Sequence, residues 1–414
     1  MARLGPGGTA GGPAALTASV LLVVAAVSGC SAAAPDAPPT SATTSRAATP
    51  TSSATPTRSA GDGGPALPGD LATAARAAYD SLSDEQRIGQ LFMIGIPSSG
   101  VTSEQLVALR DLSIGNVILG GNTDDSVDEV GETTAEASAA TTYAAVAPFV
   151  AVDQEGGSVQ RLRGPGFSDM PSALHQGGEG AAQLRRDAAR WGRELAAAGI
   201  NLDLAPVADT VPSAHARDNA PIGRYGREFG HTPAEVATSV VAFVRGMSAA
   251  KVGTTLKHFP GLGRASGNTD TDSGVTDPTR ADDEHLGPFR AGIRAGAPFV
   301  MVSSATYPAI DPGHRACFSS KVMRSLLRGT LRFGGVIVSD SMDARALDGV
   351  SPGQRAVRFL AAGGTMLLDV SGADLRAMVS AVTDRARTDP RFAGVVEAAV
   401  LRVLAAKSAA GLTA

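Results

Sequence analysis

Eight short apolar runs recur along the chain from residue 91 onwards, and this repeated spacing constrains the fold more than any other feature. The runs are LFMIGI (91–96), NVILGG (116–121), FVAVDQ (149–154), NLDLAPVAD (201–209), GTTLKHF (253–259), FVMVSSA (299–305), GVIVSDS (335–341) and GTMLLDV (364–370). None alternates strictly between apolar and polar residues, so they predict strands buried on both faces, as in parallel sheets covered by helices. Amphipathic stretches between them, including 180–199, 232–250 and 351–363, predict helices. Eight strand–helix units in series predict an α/β protein with a (β/α)8 TIM barrel.

The overall charge excludes one class of partner. Hydrophobic residues make up 43% of the 414 residues and charged residues 18%, which is typical of a globular protein with a full-sized core. The formal net charge is −4. A protein that binds nucleic acid needs a surplus of basic side chains to neutralise phosphates, so the sequence predicts no nucleic-acid partner.

The first thirty residues differ from the rest of the chain. Arg3 precedes the apolar run ALTASVLLVVAAVSGC, which ends in small residues before Cys30. This pattern predicts a secretion signal over residues 1–29, because the run is too short for a membrane-spanning helix. The tetrapeptide VSGC resembles the lipobox of bacterial lipoproteins, which implies lipidation of Cys30 and anchoring at the extracytoplasmic face of the cell membrane. The alternative is an ordinary signal peptide with an incidental cysteine. Cys317 is the only other cysteine, so a lipidated Cys30 would leave no intramolecular disulfide.

Residues 30–70 predict a tether. They are rich in Ala, Pro, Ser and Thr and contain almost no large apolar side chain. Such a segment cannot bury enough apolar surface to offset its ordering entropy, so we expect it to be disordered. Residues 71–414 then form one catalytic barrel domain, which we expect to be monomeric.

Polar residues cluster where five of the eight apolar runs end. They are Asp153-Gln154-Glu155, Asp209, Lys257-His258, Ser303-Ser304 and Ser339-Asp340-Ser341. In a TIM barrel the loops after the strands carry the chemistry, so these positions predict the active site. Asp340 closes an uninterrupted apolar run, and a carboxylate held on a rigid element at the barrel rim is suited to act as a nucleophile. The alternative is that Asp340 caps a following helix.

Lys257 and His258 precede a loop, 261–277, that carries glycines and aspartates. Other interpretations of the pair are a structural ion pair with a hydrogen-bonded histidine, or a lysine that forms Schiff bases, as in aldolases. The loop lacks the Lys-Ser/Thr of a phosphate-binding P-loop. Asp270, Asp272 and Asp277 could ligate a metal, but the calcium-loop pattern with its terminal glutamate is absent. We therefore expect neither a metal nor a cofactor.

Five segments resemble, in the same order, the motifs of glycoside hydrolase family 3, in its single-domain β-N-acetylglucosaminidase branch. They are VDQEGGSVQRL (152–162), LAPVAD (204–209), GREFG (226–230), LKHFPGLG (256–263) and GVIVSDSM (335–342). The resemblance runs from about Leu82 to the C-terminus, and the lipobox and tether are similar to those of actinobacterial surface lipoproteins of this branch.

The resemblance implies a role for each matching residue. Asp340 falls on the catalytic nucleophile, which forms a covalent glycosyl-enzyme intermediate. Five charged residues fall on positions that hold the hydroxyl groups of the terminal sugar: Asp153, Arg161, Arg227, Lys257 and His258. Charged donors and acceptors orient a polyol well, and several of these hydrogen bonds can tighten as the sugar approaches its oxocarbenium-like transition state.

The loop after the fifth strand departs from this pattern. The branch usually carries its acid/base histidine there in an Asp-Ser-His triplet, which falls on Asn268-Thr269-Asp270, and no histidine occurs from 259 to 284. We predict that Asp270 donates the proton, supported by Asn268 and Asp272. Two carboxyls about 5 to 5.5 Å apart cannot both ionise easily, so burial and the Asp340 charge should keep Asp270 protonated and move the rate optimum to acidic pH. The alternatives are that Asp272 is the donor, or that the protein has lost this step.

These features together predict a retaining, exo-acting enzyme that removes terminal β-linked N-acetylglucosamine from peptidoglycan-derived cell-wall fragments. A sugar-binding surface lipoprotein on a catalytically impaired barrel is a second hypothesis, and a β-glucosidase or phosphorylase of the same family is a third. Aromatic residues make up 4% of the chain, and the helical pattern around Trp191 predicts core packing. We therefore expect a small carbohydrate or muropeptide substrate rather than a long polysaccharide.

Overall fold

The computed structural model describes residues 64–414. The predicted signal peptide, Cys30 and most of the predicted tether lie outside these residues. The strands are β1 (Phe92–Pro97), β2 (Asn116–Gly120), β3 (Phe149–Val152), β4 (Gln154–Gly156), β5 (Val159–Gln160), β6 (Leu202–Asp203), β7 (Gly253–Phe259), β8 (Phe299–Val302), β9 (Val336–Ser339) and β10 (Leu367–Asp369).

Helices surround these strands. They are α1 (Gly69–Ser81), α2 (Asp84–Gly89), α3 (Ser103–Asp111), α4 (Val127–Thr141), α5 (Ala173–Gly178), α6 (Ala181–Ala197), α7 (Pro233–Ala249), α8 (Gly287–Arg294), α9 (Pro352–Ala362), α10 (Leu375–Thr388) and α11 (Pro390–Ala409). A π-helical segment covers Lys321–Thr330, and short 3-10 turns include Gly223–Tyr225 and Arg345–Leu347. The three helices predicted from amphipathic spacing correspond to α6, α7 and α9, each within two residues of its predicted bounds.

Eight parallel strands form the barrel, in the order β10-β1-β2-β3-β6-β7-β8-β9. The ring closes between β9 and β10, where the Ser339 amide donates to the Met366 carbonyl and the Met366 amide donates to the Ile337 carbonyl, both at 3.0 Å. Each of the eight predicted apolar runs contributes one barrel strand. The predicted (β/α)8 barrel is therefore confirmed. The remaining strands, β4 and β5, form a small antiparallel hairpin directly after β3.

The fourth apolar run forms much less strand than the nine residues predicted. Only Leu202 and Asp203 enter the sheet, and beyond them Val207 makes an isolated bridge to Lys257. Pro206 has no amide hydrogen to donate to a ladder, so the regular pairing cannot continue through it. The backbone after Asp203 nevertheless stays beside the neighbouring strands, since the Leu204 amide donates to the Val152 carbonyl and the Thr255 amide donates to the Ala205 carbonyl, both at 2.8 Å.

Local sequence explains where the helices begin. Capping boxes start α2, α3, α4 and α7. At α7 the Thr232 hydroxyl accepts from the Glu235 amide at 3.3 Å, and the Glu235 carboxylate accepts from the Thr232 amide at 3.0 Å. Trp191 on α6 is buried and lies 6.5 Å from the Phe243 ring on α7, so its predicted place in the core is confirmed.

A buried lysine lies at the amino-terminal end of the barrel. Lys407 on α11 is fully buried, and its Nζ donates to the Gln90 side-chain oxygen at 2.6 Å and to the Gly115 carbonyl at 3.0 Å. Burial holds the pKa of Lys407 well below its usual range. Gln90 and Gly115 precede β1 and β2, so this lysine lies at the face opposite the strands' carboxyl ends.

Across residues 64–414, no helix is long and apolar enough to cross a membrane.

Candidate active site

A pocket of about 580 Å³ opens at the carboxyl ends of the barrel strands. Leu204, Met301 and Leu368 provide an apolar part of its lining. The predicted sugar-binding and catalytic residues all line this one pocket: Asp153, Arg161, Arg227, Lys257, His258, Asp270 and Asp340. The structure therefore brings together residues that are far apart in sequence, as expected for strand-end positions in a barrel.

A network of buried charges forms one side of the pocket. Lys257 Nζ lies 2.6 Å from a carboxylate oxygen of Asp153 and 2.6 Å from one of Glu155. Arg227 makes a bidentate contact with Glu155, with Nε to Oε2 at 2.8 Å and a terminal nitrogen to Oε1 at 2.7 Å. Lys257 and Glu155 are each only 3% exposed at the side chain. Such buried charges persist only when each one is paired, and here the network provides the partners.

The network fixes the charge state of its members. Burial acts to raise the pKa of Glu155, but the charges and hydrogen bonds of Arg227 and Lys257 outweigh it, so that pKa is held well below its usual range. Burial acts to lower the pKa of Lys257, but Asp153 and Glu155 raise it above the ordinary value. Lys257 is therefore a cation, and a Schiff base needs a neutral amine, so this arrangement argues against the aldolase interpretation.

His258 is oriented by a buried carboxylate. Its Nδ1 lies 2.8 Å from Oδ2 of Asp209, which is fully buried. Asp209 also accepts from the backbone amides of His258 at 3.2 Å and Leu262 at 2.8 Å. Asp209 thus fixes both the ring and the start of the loop after β7.

Asp340 lies directly after β9 and is only partly exposed. Its backbone amide donates to the Val302 carbonyl on β8 at 3.0 Å, and its Oδ1 accepts from the Ser341 amide at 2.9 Å. Burial, with a further contribution from the Asp270 charge, raises the pKa of Asp340 from 3.8 to about 6, although the His258 charge opposes the rise. At neutral pH the carboxylate is therefore mostly ionised.

The helix-cap interpretation of Asp340 is wrong. The next helical segment is the 3-10 turn Arg345–Leu347, and Ala344 occupies its N-cap position. Asp340 is four residues too early to satisfy the amides of that turn, so its carboxylate remains directed to the pocket that it lines.

Asp270 lies on the loop after β7 and is exposed. Two backbone hydrogen bonds attach this loop to the one after β9: the Ala346 amide donates to the Thr269 carbonyl at 2.9 Å, and the Arg345 amide donates to the Asp270 carbonyl at 3.4 Å. Asp270 and Asp340 therefore face the same cavity from adjoining loops. The expectation that Asp270 is buried is wrong, because the loop stands at the solvent boundary.

The predicted supporting residues occupy different places. Asn268 lines the pocket, and its side-chain oxygen accepts from the Asp270 amide at 3.0 Å. Asp272 lies outside the pocket lining and accepts from the Asn268 amide at 2.9 Å. Asp272 therefore shapes the loop, and Asp270 is the carboxylate that reaches the cavity. Arg161 donates to the Asn122 side chain at 3.0 Å at the pocket edge.

The loop aspartates do not gather around a common point. Asp277 is buried and accepts from the Arg264 amide at 3.0 Å and from the Thr279 amide and hydroxyl at 2.8 Å and 2.6 Å. No group of three or more His, Cys, Asp or Glu side chains in the part of the chain that the structure describes is arranged to hold a metal ion.

Three residues of this site were not assigned a role from the sequence. Glu155 and Asp209 stood among the polar strand ends, and that location was the available signal for them. Glu155 pairs with Lys257, 102 residues away, and Asp209 pairs with His258, 49 residues away, so no local sequence pattern predicts either contact. Tyr225 also lines the pocket and is 50% exposed, and nothing in the sequence around it distinguishes it from other loop residues.

Known proteins are similar to this chain in both sequence and fold. The model for the glycosyl hydrolase family 3 N terminal domain matches residues 83–405. A β-hexosaminidase of Stenotrophomonas maltophilia (strain K279a) is 35% identical over 267 residues, which cover 62% of this chain and 76% of that protein. The crystal structure of a β-N-acetylhexosaminidase from Beutenbergia cavernae is 47% identical, with a TM-score of 0.77, and the match covers 79% of this chain and 99% of that one. A family 3 β-N-acetylglucosaminidase from Paenibacillus is 28% identical, with a TM-score of 0.72, and the match covers 80% of this chain and 63% of that one.

Proposed function

Since the chain belongs to glycoside hydrolase family 3, we propose that it removes terminal β-linked N-acetylhexosamine by a retaining mechanism in which Asp340 is the nucleophile. It is a hydrolase that acts on N-acetylhexosamine, as the β-hexosaminidase and β-N-acetylhexosaminidase names of its relatives support. We also propose a covalent intermediate, a proton donor and a natural substrate.

The position of Asp340 carries the proposal. A partly buried carboxylate at the carboxyl end of a barrel strand shares one pocket with the Lys257 and His258 side chains. A protein that only binds sugar gains nothing from burying a carboxylate whose pKa is thereby raised to about 6. A nucleophile needs such a fixed position, because attack requires close approach to one carbon atom along one direction.

The first step cleaves the glycosidic bond. A carboxylate oxygen of Asp340 forms a bond to the anomeric carbon while the bond from that carbon to the leaving oxygen breaks. Asp270 gives its proton to the leaving oxygen and becomes a carboxylate. Asp270 suits this role because it reaches the cavity from the outer side, where the leaving group must depart, and because its loop is attached to the one after β9.

The second step releases the sugar. The Asp270 carboxylate takes a proton from a water molecule, whose oxygen forms a bond to the anomeric carbon as the bond to Asp340 breaks. The configuration at that carbon is then the same as in the substrate. Phosphate in place of water would instead yield a sugar phosphate, so product analysis with and without phosphate distinguishes the two acceptors.

The buried charges recognise the sugar that is cleaved. Asp153 is 24% exposed at the side chain and presents its carboxylate to the cavity beside the Lys257 ammonium. A carboxylate accepts hydrogen bonds from hydroxyl groups and an ammonium donates them, so the pair can bind adjacent hydroxyls of one ring. Arg161 and His258 extend the same polar lining. Because Glu155 pairs with Lys257 and Asp209 pairs with His258, these two groups are held in position before substrate binds.

The location and the natural substrate are inferred from the sequence of the first seventy residues. The lipobox-like VSGC and the Ala/Pro/Ser/Thr-rich segment after it support a protein lipidated on Cys30 and held at the outer face of the cell membrane. Peptidoglycan-derived fragments with terminal N-acetylglucosamine are the substrates that such a location offers. Cys30→Ser should release the protein from the membrane fraction into the medium, and continued membrane association of that variant would contradict this part.

Trapping the intermediate tests the mechanism. The parent enzyme is incubated with a slow fluorinated glycoside of N-acetylglucosamine and digested, and the peptides are weighed. We expect a sugar adduct on the peptide that contains Asp340, no adduct in Asp340→Asn, and an adduct in Asp343→Asn, which makes the same chemical change at an exposed position in the same pocket. An adduct elsewhere would refute the assignment.

The second candidate is a sugar-binding protein that does not cleave. One observation favours it: the loop after β7 has no histidine, and the carboxylate in its place is exposed. The trapping experiment separates the two candidates, since sugar binding with no adduct and no released N-acetylhexosamine supports the binding protein.

A further inference from the structure

The mouth of the pocket has two apolar side chains that the proposed mechanism does not use. In the described part of the chain, four large apolar side chains are strongly exposed: Val107, Leu174, Tyr225 and Val370. Two of them line the pocket, Tyr225 at 50% exposure and Val370 at 40%. Exposed apolar side chains at a binding cleft commonly mark contact with a ligand.

Tyr225 and Val370 belong to loops that follow opposite strands of the ring. Tyr225 ends the 3-10 turn Gly223–Tyr225 in the loop after β6, and Val370 directly follows β10. In the barrel order β6 is four strands from β10 in either direction, so the two loops begin on opposite sides of the ring. Both side chains line the same pocket.

The active site itself holds both residues in place. The Arg227 guanidinium, which binds Glu155, also donates to the Pro221 carbonyl at 2.9 Å, and so ties the Tyr225 loop to the charged network. The Val370 amide donates to the hydroxyl of Ser341, the neighbour of Asp340, at 3.2 Å. Both apolar groups are therefore positioned relative to the groups that bind and attack the terminal sugar.

Close packing beneath Val370 adds to its fixed position. Gly95 on β1 faces the Val370 carbonyl, and a Cβ on Gly95 would overlap that oxygen. The absence of a side chain at this position lets the end of β10 approach β1 closely. Val370 is thus part of a packed barrel rim.

We propose that Tyr225 and Val370 form a leaving-group subsite that binds the apolar face of a second pyranose ring, β-linked to the N-acetylhexosamine that is cleaved. This inference rests on the proposed function and names the part of the substrate beyond the scissile bond. The inner pocket is lined by charged groups suited to hydroxyls, whereas the mouth offers an aromatic and an aliphatic surface. A pyranose ring presents C–H groups on its faces, and these pack against such surfaces.

The subsite predicts a preference for a sugar leaving group over a small alkyl group. Hydrolysis of a β-linked N-acetylglucosamine disaccharide is compared with that of the trifluoroethyl β-glycoside of N-acetylglucosamine, which has no second ring. Tyr225→Ala should lower kcat/KM about tenfold for the disaccharide and less than about twofold for the trifluoroethyl glycoside. Tyr225→Phe keeps the ring and should stay within about twofold of the parent on both substrates.

A matched pair of valines provides the control. Val370→Ala should lower kcat/KM for the disaccharide about threefold, because only the aliphatic contact is lost. Val107→Ala removes the same two methyl groups at a comparably exposed position outside the pocket and should leave both substrates unchanged. Equal losses on the two substrates in Tyr225→Ala, or no loss on the disaccharide, would overturn the proposal.

Equilibrium binding separates this inference from the proposed function. In the Asp340→Asn background, calorimetry measures the Kd of the intact disaccharide and of N-acetylglucosamine alone. Adding Tyr225→Ala should raise the disaccharide Kd about tenfold, which corresponds to about 1.4 kcal/mol, and leave the monosaccharide Kd unchanged. If the parent cleaves neither glycoside, the retaining hydrolase fails, yet this ratio of Kd values still decides the subsite: an unchanged ratio refutes it.

Discussion

Replacing Asp340 should make the protein more stable at neutral pH. Burial raises the pKa of Asp340 from 3.8 to about 6, so the ionised carboxylate is less favourable in the folded than in the unfolded chain. Asp340→Asn keeps the shape and can still accept from the Ser341 amide through its side-chain oxygen, but it cannot ionise. The variant therefore avoids the free-energy cost of holding an ionised carboxylate at this position in the folded chain.

The size and pH window of the effect follow from that pKa. A rise of about two pKa units corresponds to about 3 kcal/mol at 1.36 kcal/mol per unit. Partial exposure of Asp340 reduces this, so we expect Asp340→Asn to be more stable by about 2 to 3 kcal/mol above pH 6. Below about pH 3.8 the carboxyl is protonated in both states, so the advantage disappears. The parent thus loses stability relative to the variant as pH rises from about 4 to about 6.

Thermal unfolding at several pH values measures this. Using about 2.1 cal/mol/K of unfolding entropy per residue for roughly 350 residues, 2 to 3 kcal/mol corresponds to a Tm difference of about 3 to 4 °C. We expect that difference at pH 7.5 and almost none at pH 4. Asp343→Asn is the control, because its carboxylate is exposed in the same pocket and should change Tm by less than about 1 °C. A difference that is equal at both pH values, or absent at pH 7.5, would refute the reasoning.

Three further changes test other parts of the structure. Glu155→Gln leaves Lys257 and Arg227 buried with one anionic partner fewer. Denaturant unfolding should therefore show a free energy of unfolding that is lower by about 3 to 5 kcal/mol, and parent-like stability would contradict a paired network. Asp270→Asn should lower kcat/KM for the disaccharide about 10² to 10⁴-fold but spare kcat/KM for a dinitrophenyl glycoside, whose leaving group needs no proton. On that glycoside, the acidic side of the variant's kcat/KM profile should move to lower pH, because the Asp270 charge contributes to the raised pKa of Asp340; an unmoved profile would argue against that contribution. Lys407→Met should remove a stability increase that the parent shows as pH rises towards 10.5, because burial lowers the pKa of the amine in the folded chain and the unfolded chain therefore binds more protons over that range; parallel pH profiles would refute this.

Sequence alone determined the architecture, because strand and helix formation depend on local patterns. Continuous apolar runs favour burial on both faces of a parallel sheet, and all eight entered the barrel. The helix predicted over 232–250 from its amphipathic spacing formed, and the Thr232–Glu235 capping box that begins it acts within four residues. The strand-end positions of Lys257, His258 and Asp340 follow from the same patterns, since a barrel gathers the carboxyl ends of its strands on one face.

Tertiary structure alone decided the charge states and the partners. Glu155 binds Arg227 across 72 residues, and no local pattern relates the two. Whether Asp270 is buried depended on how its loop rests against residues 345 and 346, and it proved to be exposed. The pKa of Asp340 and the pocket that Tyr225 and Val370 both line likewise arise from groups that meet only once the ring has closed. Electrostatic and apolar contacts act through space, whereas hydrophobic periodicity and capping act along the chain, and this difference separates what could be predicted from what could not.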